Sequence, residues 1–217
     1  MIVAIDGPAG SGKTTIAKLL AKSLNISYLD TGATYRALTL KALENNVDLK
    51  NVQALVKLAE RLNIEFKDKR TYLDGKDVSD KIRMPVVDKN ISVIVSYPEV
   101  RSVMVNLQRI LSKNTDFVVE GRDITTVVFP NARFKFYLDA NPEVRAKRRF
   151  KELEEKGVKI DFKELEKDLY KRDDADRNRK VGALTISADA IVVDTSDLTI
   201  DGVVQKMLSY IKEKNKN

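Results

Sequence analysis

The chain has 217 residues, 43% of them hydrophobic, and a formal net charge of +7. It contains neither cysteine nor histidine, which excludes disulfides, thiolate metal sites and imidazole chemistry; any reaction must run on carboxylates, lysine, arginine, hydroxyls and a bound metal. No apolar run approaches the length of a membrane span and the N-terminus reads as a strand, so a cytoplasmic protein without a membrane partner is expected.

The opening run Met1-Ile2-Val3-Ala4-Ile5-Asp6 suits a buried strand. It leads into Gly7-Pro8-Ala9-Gly10-Ser11-Gly12-Lys13-Thr14, which fills the phosphate-binding template G-x-x-x-x-G-K-[ST]. Ile16, Leu19, Leu20 and Leu24 then recur at helical spacing, so the loop stands between a strand and a helix. In that setting backbone N–H groups and a helix N-terminus can face phosphate oxygens. Lys13 can reach the outer phosphates of a triphosphate, and the Thr14 hydroxyl can ligate magnesium.

Ser27-Tyr28-Leu29-Asp30 reads as a second strand ending in a carboxylate, and Thr31 opens a helix in which Arg36 sits one turn along. Taken alone, Arg36 is either a surface arginine or a fork onto phosphate. Val52, Leu55, Val56, Ala59 and Leu62 mark another amphipathic helix. The period then changes: Ile64 to Lys67 and Thr71 to Leu73 alternate around a turn at Asp68-Lys69-Arg70, with a second turn at Asp74-Gly75. This predicts a small antiparallel patch inserted in an alternating α/β chain. Helices follow around Val86–Val95 and Val100–Leu111, broken at Pro98.

Asp116 to Glu120 reads as a buried strand delivering Gly121-Arg122-Asp123 into a loop. Strand carboxyl ends are where ligands bind in an open parallel sheet. Phe134 to Leu138 is the next strand, and Asn141-Pro142 starts a helix carrying Arg145, Lys147, Arg148 and Arg149. The charged segment from Lys151 to Phe162 is either a solvated helical hairpin or a lid closing on phosphates. In the run from Lys171 to Lys180, Arg172, Asp176 and Arg179 fall at i, i+4 and i+7 and would share one helix face; by composition alone such a run is a solvated, self-paired surface. Ala190 to Asp194 is the last strand, and Ile200, Val203, Val204, Met207, Leu208 and Ile211 give a final helix. The repeated β-α order predicts an α/β fold: a doubly wound parallel sheet with helices on both faces.

Together these pieces resemble the bacterial-type cytidylate kinases, a branch of the P-loop nucleoside monophosphate kinases. The resemblance runs nearly end to end. It rests on Gly7 to Thr15, Leu29 to Arg36, Glu120-Gly121-Arg122-Asp123 and Arg172 to Arg179. It implies a core at about 1–35 and 102–217, an inserted monophosphate-binding lobe at about 36–101 that holds the antiparallel patch, and a short lid at about 150–164. It further implies that ATP lies over Gly7, Pro8, Ala9, Gly10, Ser11, Gly12, Lys13, Thr14 and Thr15, with magnesium at Thr14. The acceptor phosphate would be held by Arg36, Arg122, Arg172 and Arg179, and the ribose by Asp176. The base would meet Ser92, Arg101 and Asp123, with Thr31 also on the substrate. Arg145, Arg148 and Arg149 are the lid candidates. The pattern departs from the family at Thr125, where glycine is common, and that bulk would shift the Asp123 loop.

The implied reaction is direct transfer of the ATP γ-phosphoryl group to CMP and dCMP, in pyrimidine nucleotide metabolism. Such transfer needs positioning and cations more than a strong base, which suits a chain without histidine. Lys13, Arg122 and Arg172 would offset the repulsion between two phosphate groups, and Asp123 would help hold Arg122. A carboxylate at Asp123 also complements the cytosine amino group and repels the oxygen of uracil. The partners expected are small nucleotides, with no nucleic acid, acting on a monomer. Two other readings stay open: a small-molecule kinase for UMP, AMP or shikimate, and a nucleotide switch or nucleic-acid ATPase. Against the last stand the absence of an N-K-x-D motif, the short chain and an aromatic content of 6%.

Overall fold

A computed structural model of the protein describes residues 1–67, 70–155 and 157–216. The expected turn at Asp68-Lys69-Arg70 lies partly outside the described residues. The chain forms two compact units, one of Met1–Tyr28 with Thr115–Asn217 and one of Leu29–Asn114.

The first unit carries a five-stranded sheet. In chain order its strands are β1 (Ile2–Asp6), β2 (Ser27–Asp30), whose last two residues begin the second unit, β6 (Phe117–Glu120), β7 (Phe134–Asp139) and β8 (Ile191–Asp194); side by side they run β2-β6-β1-β7-β8. β1 pairs parallel with β6 and β7, and β7 pairs parallel with β8. The register places Ile5 beside Glu120, Asp6 beside Tyr137 and Asp139 beside Asp194, so four strands end in carboxylates along one edge. β1 is central because it is apolar on both faces. Val3 and Ile5 pack with Phe134, Phe136, Leu138 and Val193 against α1 (Lys13–Leu24) and α8 (Ile200–Lys216), through Ile16, Leu20, Val203 and Met207. On the opposite face Ala4 and Val119 are also fully buried. Alternate residues of a strand point to opposite faces, so two covered faces account for the unbroken apolar runs of the sequence.

Two helices, α6 (Pro142–Glu155) and α7 (Phe162–Arg177), form a hairpin in this unit. Asp161 caps α7 by accepting from the Glu164 amide at 3.0 Å, and Phe150 meets Phe162 edge to face with centroids 5.6 Å apart. The charged segment from Lys151 to Phe162 thus ends one helix and starts the next. α7 stops at Arg177, which corrects the expectation of one helical stripe through Arg172, Asp176 and Arg179: the last of these lies beyond the helix end.

The second unit has its own core. It contains α2 (Thr31–Glu44), α3 (Val52–Glu60), the antiparallel strands β3 (Ile64–Lys67), β4 (Arg70–Leu73) and β5 (Lys76–Asp77), α4 (Pro85–Ser96) and α5 (Pro98–Leu111). Leu38, Leu55, Ile82, Ile94 and Met104 are fully buried within it. Asp74 and Gly75 both adopt positive φ, 51° and 76°, the backbone a tight two-residue hairpin demands, and this turn folds β5 back onto β4. Pro98 takes the first position of α5 while Tyr97 is extended, so one proline ends α4 and starts α5. Among the described residues no helix is long and apolar enough to cross a membrane.

Candidate active site

The phosphate-binding loop leaves the end of β1 and enters α1. It runs so close to the sheet that a Cβ on Gly7 would stand 2.1 Å from the Leu138 carbonyl oxygen; only glycine fits there. Lys13 is buried, and its Nζ donates to the Pro8 carbonyl at 2.7 Å and to Ser11 Oγ at 3.4 Å. Burial depresses its pKa to about 7, aided by Arg122 and Arg172 and opposed by Glu120 and Asp6. Two guanidinium groups are therefore near enough to Lys13 to disfavour its charge, and the carboxylates Glu120 and Asp6 offset this only in part. Thr14 is half-buried at the first turn of α1 and Thr15 is exposed.

The loop is braced from three sides. Ala9 N–H donates to Asp173 Oδ1 at 3.0 Å, and Arg145 donates to the Ala9 carbonyl at 2.9 Å while pairing with Asp173. Thr195, just past β8, donates to the Ser11 carbonyl at 3.3 Å; Arg148 bonds to both the hydroxyl and the carbonyl of Thr195, at 2.9 and 2.6 Å. Arg149 pairs with Glu152 along α6 at 2.7 Å. The three arginines proposed for a lid thus differ in setting: Arg145 is buried beneath the loop, Arg148 is fixed to the segment after β8, and Arg149 lies on the helix surface.

Asp6, the last residue of β1, is fully buried and accepts three hydrogen bonds from the next loop: Ile124 N–H at 2.8 Å, Thr125 N–H at 2.7 Å and Thr125 Oγ1 at 2.6 Å. Burial raises its pKa, and the Thr125 and Ile124 bonds offset part of the rise. Thr125 does more than add bulk: its hydroxyl ties the segment after Asp123 to the strand that feeds the phosphate loop. At the end of β6, Glu120 accepts from Tyr28 Oη at 2.6 Å.

Arg122, Asp176 and Arg179 form one cluster. Asp176 Oδ2 accepts from Arg122 Nε at 2.8 Å, and its Oδ1 pairs with Arg179. Burial opposes the Asp176 charge, but Arg122, Arg179 and Arg172 outweigh it and hold the pKa below the usual carboxylate value. Burial likewise opposes the Arg122 charge, and Asp176, with Glu120 and Asp173, raises its pKa all the same. The run from Lys171 to Lys180 is therefore only in part the solvated, self-paired face its composition suggests: most of it is exposed, but two of its carboxylates are not. Asp173 and Asp176 are 1% and 7% exposed, with partners drawn from β6's loop and α6 as well as from the run itself.

In the second unit Arg36 is buried, donating to the Ile82 carbonyl at 3.1 Å and pairing with Asp88 at 2.6 Å. Arg101 is buried with its guanidinium carbon 5.5 Å from the Tyr35 ring centroid. Asp30 caps α2 through the Ala33 amide at 3.0 Å; Thr31 is buried behind it, and Ser92 is exposed on α4. The sequence pattern assigned no role to Asp6 or Asp173. Each had a visible signal: one is the carboxylate that closes the strand before the loop, the other adjoins Arg172 in the densest charge run.

The cytidylate kinase family model matches residues 3–213. The chain belongs to the cytidylate kinase family. Relatives bearing that name include one from Caldanaerobacter subterraneus subsp. tengcongensis, 45% identical, covering 99% of this chain and 96% of the relative. Another from Clostridium botulinum is 48% identical and covers 97% of each chain, and one from Alkaliphilus oremlandii is 46% identical over the same shares. The fold is shared more widely: the shikimate kinase of Bacteroides thetaiotaomicron is only 13% identical yet superposes with a TM-score of 0.50 over 98% of each chain. Membership of the family makes this a kinase with ATP as co-substrate.

Proposed function

We propose that the protein transfers the γ-phosphoryl group of ATP to CMP, and to dCMP, and that no protein nucleophile intervenes. The observation that carries this reading is a glycine-built loop that buries Lys13, whose charge is disfavoured by that burial and by Arg122 and Arg172. Such a cluster is relieved by a polyanion, and bringing two phosphate groups together supplies one. The pyrimidine assignment rests on the family.

In this reading the amides from Gly7 to Thr15 cradle the triphosphate and Lys13 moves from the Pro8 carbonyl to the outer phosphates. Arg122, Arg172 and Arg179 orient the acceptor phosphate, with Asp176 aligning Arg122 and Arg179 and meeting the ribose. Arg36, now paired with Asp88, exchanges that partner for phosphate; Ser92, Arg101, Asp123 and Thr31 line the nucleoside. The acceptor lobe spans about 36–101, inside the unit Leu29–Asn114. The hairpin at about 150–164 serves as the lid. Among the described residues no group of three or more carboxylates could cage a metal ion. Thr14, half-buried at the first turn of α1 beside Lys13, offers a hydroxyl that would hold magnesium together with nucleotide oxygens, where the ion would neutralise charge on the phosphates. We place the protein in the cytoplasm as a monomer working on free nucleotides.

The test is ADP release measured with ATP and each nucleoside monophosphate in turn, on the natural chain and on Asp123→Asn. CMP and dCMP should be the best acceptors, and the variant should narrow the CMP-over-UMP ratio of kcat/KM. Preference for AMP, UMP or shikimate would overturn the assignment, and an unchanged ratio would remove Asp123 from base reading.

A further inference from the structure

The Pro8–Ala9 peptide group is held at both ends. Its N–H donates to Asp173 Oδ1 at 3.0 Å, and its carbonyl accepts from Lys13 Nζ at 2.7 Å. A trans peptide is planar with its N–H and C=O directed oppositely, so fixing one end fixes the direction of the other. The second oxygen of Asp173 takes Arg145, which in turn donates to the Ala9 carbonyl at 2.9 Å and through Nε to the Ala140 carbonyl at 3.0 Å. Carboxylate and guanidinium are 1% and 5% exposed. Between them they grip both polar groups of Ala9 from outside the loop. The backing is tight: a Cβ on Gly10 would lie 2.9 Å from the Arg145 carbonyl oxygen, so loop and α6 are in direct backbone contact. A buried ion pair is weak evidence for stability as such, because desolvation consumes most of the Coulombic gain. Its value here lies in direction.

We infer that Asp173 is a positioning residue for the phosphate loop: through the Pro8–Ala9 peptide it sets where the Lys13 ammonium rests, and Arg145 locks the carboxylate in that pose. This rests on the reading of Lys13 as the phosphate-contacting lysine. It also gives α7 a second task. The helix that carries Arg172 and Asp176 holds the loop at the residue between them, so a displacement of α7 is felt at Lys13. Aspartate suits the position because one carboxylate can accept in two directions at once, from an amide and from a guanidinium.

The test uses Asp173→Ala, Asp173→Asn and Arg145→Gln, with Lys13→Ala in parallel. Asparagine keeps an oxygen for the Ala9 amide and loses the ionic grip; alanine loses both. Asp173→Ala should raise the KM for ATP about tenfold or more and lower kcat, while the KM for CMP stays within about twofold. Asp173→Asn should recover most of the loss, to within about threefold of the natural chain. Arg145→Gln, which frees the carboxylate, should fall between the two. Thermal midpoints are recorded for all. Should the alanine variant not fold, the asparagine and glutamine variants decide the matter. Lowered midpoints with unaltered ATP kinetics in the folded variants would leave Asp173 a purely structural residue and overturn the inference, and so would equal losses in the KM for ATP and for CMP. Near-normal turnover by Lys13→Ala would instead sink the underlying reading of Lys13.

Discussion

Binding of ATP should draw a proton from solvent onto Lys13. The lysine is buried and its pKa is lowered to about 7 from the ordinary 10.5 by desolvation and by Arg122 and Arg172, against the pull of Glu120 and Asp6. A shift of that size means the pocket disfavours the ammonium by on the order of 5 kcal/mol. Before ATP arrives, about nine-tenths of the Lys13 side chains are neutral at pH 8 and about one-tenth at pH 6. A triphosphate against Nζ reverses the balance and restores the charge. At pH 8, where the γ-phosphate of ATP is already ionised, the expected uptake on binding therefore approaches one proton. Titration calorimetry with ATP alone, in two buffers of widely different ionisation enthalpy, reads this number as the slope of apparent enthalpy against buffer enthalpy. Lys13→Arg is the control, because a guanidinium keeps its charge throughout this range and its slope should vanish at pH 8. A slope near zero for the natural chain at pH 8 would refute the reasoning, as would an equal slope in the arginine variant.

Two further outcomes follow from the same site. Thr125→Val keeps the shape of a residue that is 1% exposed but removes a hydroxyl bound to the fully buried Asp6; a bond to a charged group is worth roughly 2 kcal/mol, so the thermal midpoint should fall by roughly 4–8 °C at neutral pH. Because burial raises the folded-state pKa of Asp6, stability from this group declines as pH rises from 3.8 through the folded value, and the valine deficit should shrink on acidification toward 3.8; an unchanged midpoint at pH 7 would count against the tie. On the reading of the α6–α7 hairpin as a lid that excludes water, shortening it should raise ATP hydrolysis relative to phosphoryl transfer several-fold; a ratio that stays put would remove this segment from gating.

Much of this protein was legible in one dimension. The strand–loop–helix around Lys13, the parallel sheet and the antiparallel insertion all follow from signals carried within a dozen residues: an apolar run, a glycine spacing, a change of period, a proline between two helices. The cations Arg36, Arg122 and Arg172 could be picked out as types suited to phosphate. The partners of Arg36, Arg122 and the lid candidate Arg145 could not. Asp88, Asp176 and Asp173 neutralise Arg36, Arg122 and Arg145 across separations of 52, 54 and 28 residues, and no local pattern encodes such pairings.

The charge run from Lys171 to Lys180 marks the boundary most clearly. By composition it is an exposed surface, and only packing decides that two of its carboxylates are buried, Asp173 against a phosphate loop more than 160 residues away in the chain and Asp176 against Arg122. The same holds for Thr125, whose hydroxyl finds Asp6 because β1 and β6 lie side by side. Sequence alone determined which backbone shapes and which side-chain chemistries this chain possesses, since these depend on neighbours in the chain. Which charges face one another, how deeply they are buried, and hence how far Lys13 is pushed from its ordinary pKa were decided by tertiary structure, because electrostatic energy depends on distance through space and on the exclusion of water.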